Sequence, residues 1–130
     1  MLAGGKKVAA PFGNADTIVR ARYDFAADGG ASDISKGIIE ADGELLVTGF
    51  YGVIKTETTG TSSKINVGVA GSLKSIVSEQ APGAAGTVIK HEANPFPIRL
   101  ADGAKLLMTL DDSNALTAGV IEWVATVRKP

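Results

Sequence analysis

Cysteine is absent from this sequence, and histidine occurs once, at His91. The first absence excludes disulfides and thiolate metal sites, and the second leaves a cupin-type metal centre without the several histidines it needs. Aromatic residues are also scarce, with four Phe, two Tyr and one Trp in 130 residues, and no aromatic-basic interleaving marks a surface for stacking bases. Neither sign of charge prevails. Thirteen basic against 14 acidic side chains give a formal charge of -1, which removes a broad electrostatic case for nucleic acid or an anionic membrane. Nothing approaches the roughly 18 apolar residues of a membrane-spanning helix. The N-terminus "MLAGGKKVAAPFGNAD" has two lysines with no apolar core behind them, so neither signal-peptide export nor a membrane span is expected.

What is present is enough apolar material for one core. The chain is 45% hydrophobic and 21% charged, a balance that folds. Its length is that of one domain, expected at 15–130 behind an N-terminal arm at 1–14 that is rich in Gly, Ala and Pro, has no regular period, and reads as a frayed terminus or as an arm that orders on a partner. Turn signals recur at short intervals: Asp28-Gly29-Gly30, Asp42-Gly43, Gly60, Gly71, Pro82-Gly83, Asp102-Gly103, Asp111 to Asn114, and Gly119. Such residues tolerate positive φ or make side-chain turns, and they cut the chain into runs too short for helices.

Those runs alternate. In "TIVRARYDFAA", Val19, Ala21, Tyr23 and Phe25 fall on one face and Arg20, Arg22 and Asp24 on the other, the period of a half-buried strand. "ELLVTGFYGVIKTET" is a long apolar run broken by Gly49 and Gly52, spaced as bulges or close backbone contacts would be. "FPIRL" and "KLLMTL" flank Asp102-Gly103, which predicts a hairpin. "GSLKSIVSEQAPG" reads either as a helix stopped by Pro82-Gly83 or as a short strand. The C-terminal "GVIEWVATVRKP" sets Ile121, Trp123, Ala125 and Val127 against Glu122, Thr126 and Arg128. Val124 interrupts the polar face, so part of that face is expected to be covered. Ile121, Trp123 and Val127 are accordingly candidates for core or subunit interface.

The chemical inventory is thin. "SSKINVGVAG" contains glycines but no phosphate cradle, because Lys64 precedes Gly68 and Gly68 with Gly71 supplies only a GxxG fragment. Ile65, Val67 and Val69 alternate there as strand residues, with Gly71 turning the chain. His91 is followed by Glu92, but adjacent residues of a strand point to opposite faces, and no GxSxG elbow presents a serine to it. Asp111 and Asp112 are neighbours in a "DDSN" turn, not a pair across a cleft. Leu116 stands where a calcium loop needs glycine, so a turn held by Asx hydrogen bonds is the expectation there. No catalytic, cofactor-binding or metal residue is assigned.

The order "ELLVTGFYGVIKTET", "KINVGVAGSLKSIVS", "ADGAKLLMTLDDSNALTAGVIEWVATVRKP" resembles small all-β virion proteins of tailed bacteriophages. In those proteins a strand ending in V-G leads into a loop, and a late "LTAG" opens the C-terminal strand. Val67-Gly68 and Leu116 to Gly119 match these features within residues 38–130, although the pattern lies later here than in lambda-type decoration proteins. The resemblance implies an all-β, jelly-roll-like antiparallel β-sandwich with short turns and a flexible N-terminal arm. It further implies a non-enzymatic capsid decoration (cement) or head-fibre protein that binds the major capsid protein on the virion surface as a homotrimer, with no cofactor, nucleic acid or membrane. On that footing the arm is the candidate capsid contact, with Ala3, Val8 and Phe12 as apolar anchors and Lys6 and Lys7 facing an acidic capsid surface. The alternative is a carbohydrate- or receptor-binding jelly-roll module, against which the shortage of aromatic residues counts.

Overall fold

A computed structural model describes residues 6–9, 16–28, 35–60, 64–69, 71–91, 96–110 and 116–130. Among these residues ten strands and one helical turn follow in order: β1 (Lys6–Ala9), β2 (Thr17–Asp24), α1 (Phe25–Asp28), β3 (Ser35–Asp42), β4 (Leu45–Thr59), β5 (Ile65–Val69), β6 (Ser72–Gln80), β7 (Val88–Lys90), β8 (Ile98–Leu100), β9 (Lys105–Leu110) and β10 (Ala118–Arg128). They form two sheets. Sheet A has the order β1-β3-β9-β5-β6, and sheet B the order β2-β10-β4-β7, with β8 also on β4.

Successive strands mostly change sheet, from β2 in B to β3 in A to β4 in B to β5 in A, and again from β8 in B to β9 in A to β10 in B. With β1 and β8 set aside, β2-β10-β4-β7 faces β3-β9-β5-β6, the wrapping of a jelly roll. The all-β sandwich expected from the alternation is therefore what the chain adopts. The described pairings are antiparallel except that of β1, which runs parallel to β3 with Lys6 opposite Ile39 and Ala9 opposite Asp42. Parallel neighbours need a long crossover, and the excursion through β2 in the other sheet supplies it.

Two local expectations are corrected, and one left open between helix and strand is decided. "FPIRL" and "KLLMTL" are not a hairpin: β8 pairs with β4 and β9 with β3 and β5, so the turn between them passes from one sheet to the other. Asp102-Gly103 does make a turn, but its partners lie at the end of β3. Gly103 N–H donates to the Ala41 carbonyl at 2.8 Å, Ala41 N–H donates to that of Ala104 at 2.9 Å, and the Asp102 carboxylate accepts from Gly43 N–H at 2.9 Å. Gly43 and Gly103 both have φ near +80°, so two Asp-Gly turns interlock at this end of the sandwich. The segment "SLKSIVSEQ" is a strand, β6, and not a helix. Phe25 does not extend β2 but begins α1, because the Asp24 carboxylate accepts the Ala26 N–H at 3.0 Å and Asp28 accepts the Asp24 N–H at 2.9 Å.

The spine of sheet B is the pairing of the two longest strands, β4 and β10. Ile121, Trp123, Ala125 and Val127 point inward and are buried, as are Leu45, Val47, Phe50 and Ile54 of β4. The inward alternation of β4 slips by one between Val47 and Phe50, where a register shift sets Val127 opposite Val47 and Thr126 opposite Gly49. Thr48, the extra residue, donates its hydroxyl to Thr126 Oγ1 at 3.0 Å. Gly52 lies opposite Trp123, whose ring occupies the space a Cβ at position 52 would need. The same ring stacks on Phe50 with centroids 5.4 Å apart.

Sheet A has a corresponding close contact. Gly68 of β5 lies against the backbone of Ser72 and Leu73, where a Cβ would collide. This lets β6 fold tightly over β5, though out of regular register. The irregularity leaves Glu79 at φ +55°, and the buried Asn66 holds it by accepting its N–H at 2.7 Å.

Two predictions follow from this packing. Gly52→Ala should lower unfolding free energy in urea by about 3 kcal/mol through overpacking, against about 1 kcal/mol for Gly103→Ala, where only the left-handed backbone is strained. A Gly52→Ala loss no larger than that of Gly103→Ala would contradict the contact. The second concerns Tyr23, which is fully buried. Burial pushes its phenol from 10 up to about 12, with the Asp28 and Asp24 carboxylates adding to the rise. The neutral phenol is favoured in the folded state, so its contribution is complete below pH 10 and is lost as pH rises through about 12. Over that window, urea midpoints of the native protein should fall more steeply than those of Tyr23→Phe.

Candidate interaction surface

The described residues hold no group of three or more His, Asp or Glu side chains placed to bind a metal. His91 follows β7, half-buried, with its ring edge-on to Phe96 at 5.1 Å. The Gly68 segment is the interior of a strand, as its alternation predicts, and its glycine meets neighbouring backbone. Glu92 and the Asp111 to Asn114 turn lie outside the described residues.

Among the described residues four large apolar side chains stand exposed: Ile18 at 57%, Tyr51 at 42%, Leu73 at 42% and Val88 at 48%. Three of them share the outer face of sheet B, because their strand neighbours point inward. Val19, Phe50, Gly52 and Ile89 are buried, and Ile18, Tyr51 and Val88 alternate with them. Register makes the face continuous. Arg20, Val124, Tyr51 and Lys90 form one cross-strand row, and Arg22, Glu122, Val53 and Val88 form the next. Val124 is 3% exposed at the centre of the first row, so the covered stretch expected on that polar face exists. Long side chains of Arg20 and Tyr51 flank it on either side, where an arginine stem can shield an apolar centre while its charge stays in water.

The charges on this face are uneven. Arg20 pairs with Glu122 at 3.0 Å across β2 and β10. Arg22, Lys55, Lys90 and Arg128 are exposed on the same sheet, and no described carboxylate pairs with them. Asp24 of β2 and Glu57 of β4 join Glu122 as carboxylates on this sheet, fewer than its cations, while Asp42, Glu44 and Asp102 collect at the interlocked turns, where Glu44 pairs with Arg99 at 3.1 Å. A chain of net charge -1 thus carries a locally basic, partly apolar sheet face.

Of the residues singled out in the sequence, Ile121, Trp123 and Val127 are brought together in the core between the sheets. Ala3 and Phe12 lie outside the described residues. Lys6 and Lys7 belong to β1, and Val8 in the same strand packs against the core. Sequence reasoning missed the outer face of sheet B. Its signal was present in Ile18, Tyr51, Val53 and Val88, apolar residues out of phase with the buried set, but their adjacency depends on register between distant strands.

No protein-family model and no curated protein matches the chain. Among solved structures it is similar to a chain of the cyanophage Pam1 capsid asymmetric unit, with a TM-score of 0.61 and 19% identity over 95% of this chain and 93% of that one. At that identity the likeness is one of fold.

Proposed function

We propose that this chain is a non-enzymatic structural subunit of a phage particle, a decoration (cement) protein that binds the major capsid protein lattice and stabilises the head. The observation that carries it is the end-to-end likeness to a chain of a phage capsid asymmetric unit, which involves nearly the whole of both chains. The scarcity of chemistry fits. One histidine, no cysteine and a partly apolar outer face on sheet B fit work done by burial against neighbours. The same sandwich also hosts sugar-binding modules, but Tyr51 is the one large aromatic exposed among the described residues, a poor platform for a sugar ring.

Decoration at symmetry axes favours a homotrimer, in which several small contacts share one effective concentration. Closed symmetry would also cover sheet edges such as β2 and β6 that a monomer leaves open. The segment carrying Ala3, Lys6, Lys7, Val8 and Phe12 is a competing proposal for the capsid contact; its β1 part lies in sheet A, where Lys7 and Lys105 are both in register with Glu40, and Val8 packs on the core.

Purified protein is expected to scatter light as about three times the 13.3 kDa chain across a dilution series, and a monomer at every concentration would remove the trimer. The function itself is tested by adding the protein to capsid shells of the phage that encodes it. Co-sedimentation with the shells, and shells that withstand a higher temperature when decorated, are expected. Shells that neither bind the protein nor gain stability would refute the proposal.

A further inference from the structure

We infer that the outer face of sheet B is the docking surface, and that it seats against a carboxylate-rimmed protein surface of the capsid lattice. This rests on the virion function proposed above and names the surface and its partner's chemistry. The centre of the face is apolar, built from Tyr51, Val53, Val88 and the covered Val124, with Ile18 exposed at the β2 edge. The cations Arg22, Lys55, Lys90 and Arg128 are distributed over it without a described carboxylate partner. An apolar centre with unpaired charge around it is the anatomy of a protein interface, since the centre supplies burial and the rim selects the partner by sign.

The sign decides between occupants. A second copy meeting this face across a two-fold axis would set the same basic surface against itself, and like charges held together at an interface oppose association. A nucleic-acid backbone would satisfy the cations but not the apolar centre, and the Glu122 carboxylate stands within the face. A protein surface with an apolar patch and carboxylates satisfies both.

The test uses the full-length chain, nuclease-treated capsid shells of its own phage, and the variants Lys55→Glu/Lys90→Glu, Tyr51→Ser and Leu73→Ser. Lys55 and Lys90 are exposed, and Leu73 lies in the opposite sheet. Thermal unfolding should show all three variants folded. In co-sedimentation the native chain should bind, and its Kd should rise with salt as the rim charges are screened. The charge-reversed variant should bind at least about tenfold more weakly, Tyr51→Ser should also lose affinity, and Leu73→Ser should match the native chain. A folded Lys55→Glu/Lys90→Glu variant that binds as tightly as the native chain would overturn the docking surface while leaving the virion function standing. Failure of the native chain to bind any shell would overturn both. An oligomer of the native chain that dissociates in the charge-reversed variant would assign the face to a second copy, against the inference. Binding abolished by the nuclease treatment would assign it to nucleic acid, equally against it.

Discussion

The contact on which the rest of this structure depends is the seating of the Trp123 ring over Gly52. β4 and β10 are the two longest strands, and their pairing carries β2 on one side and β7 and β8 on the other. The ring fits there because residue 52 has no side chain, and Phe50 stacks on it. The indole N–H has no hydrogen-bond partner among the described residues. Leaving a buried donor unmatched costs about 1–3 kcal/mol, whereas truncating a buried Trp or Phe typically costs about 3–5 kcal/mol. Burial wins, and the ring stays.

Committing the inner residues to this core determines what is left outside. A strand gives alternate side chains to opposite faces, so a β10 that buries Ile121, Trp123, Ala125 and Val127 must present Val120, Glu122, Val124 and Thr126 outward. Two of those four are valines. Together with Tyr51, Val53 and Val88 they give sheet B a second apolar layer that its own core does not use, and the unpaired cations lie around that layer. The adhesive role proposed for the chain would use a surface of this kind more than a cleft.

Much of the fold was legible because it is written in short-range alternation. The period of two marks β2, β5 and β10, and in the apolar run of β4 the glycines that read as bulges or close backbone contacts are Gly49, beside a register shift, and Gly52, under the Trp123 ring. Sequence signals failed where a partner comes from far along the chain. Asp102-Gly103 looks like the tip of a hairpin, but its hydrogen bonds go to Ala41 and Gly43 at the end of β3, some sixty residues away. α1 arises from carboxylates of Asp24 and Asp28 capturing nearby N–H groups, a local event that the strand period of the preceding residues conceals. The candidate surface was the least legible part. Its residues come from β2, β4, β7 and β10, and only the register of those strands makes them neighbours.

The most direct test of the account is lysine footprinting, with acetylation rates compared between free protein and protein bound to capsid shells. Lys55 and Lys90 lie on the outer face of sheet B, and Lys105 lies in sheet A beside Glu40. Adhesion through sheet B predicts that Lys55 and Lys90 become shielded on binding while Lys105 reacts as before. Unchanged reactivity of Lys55 and Lys90 in the bound state, with Lys105 shielded instead, would contradict it.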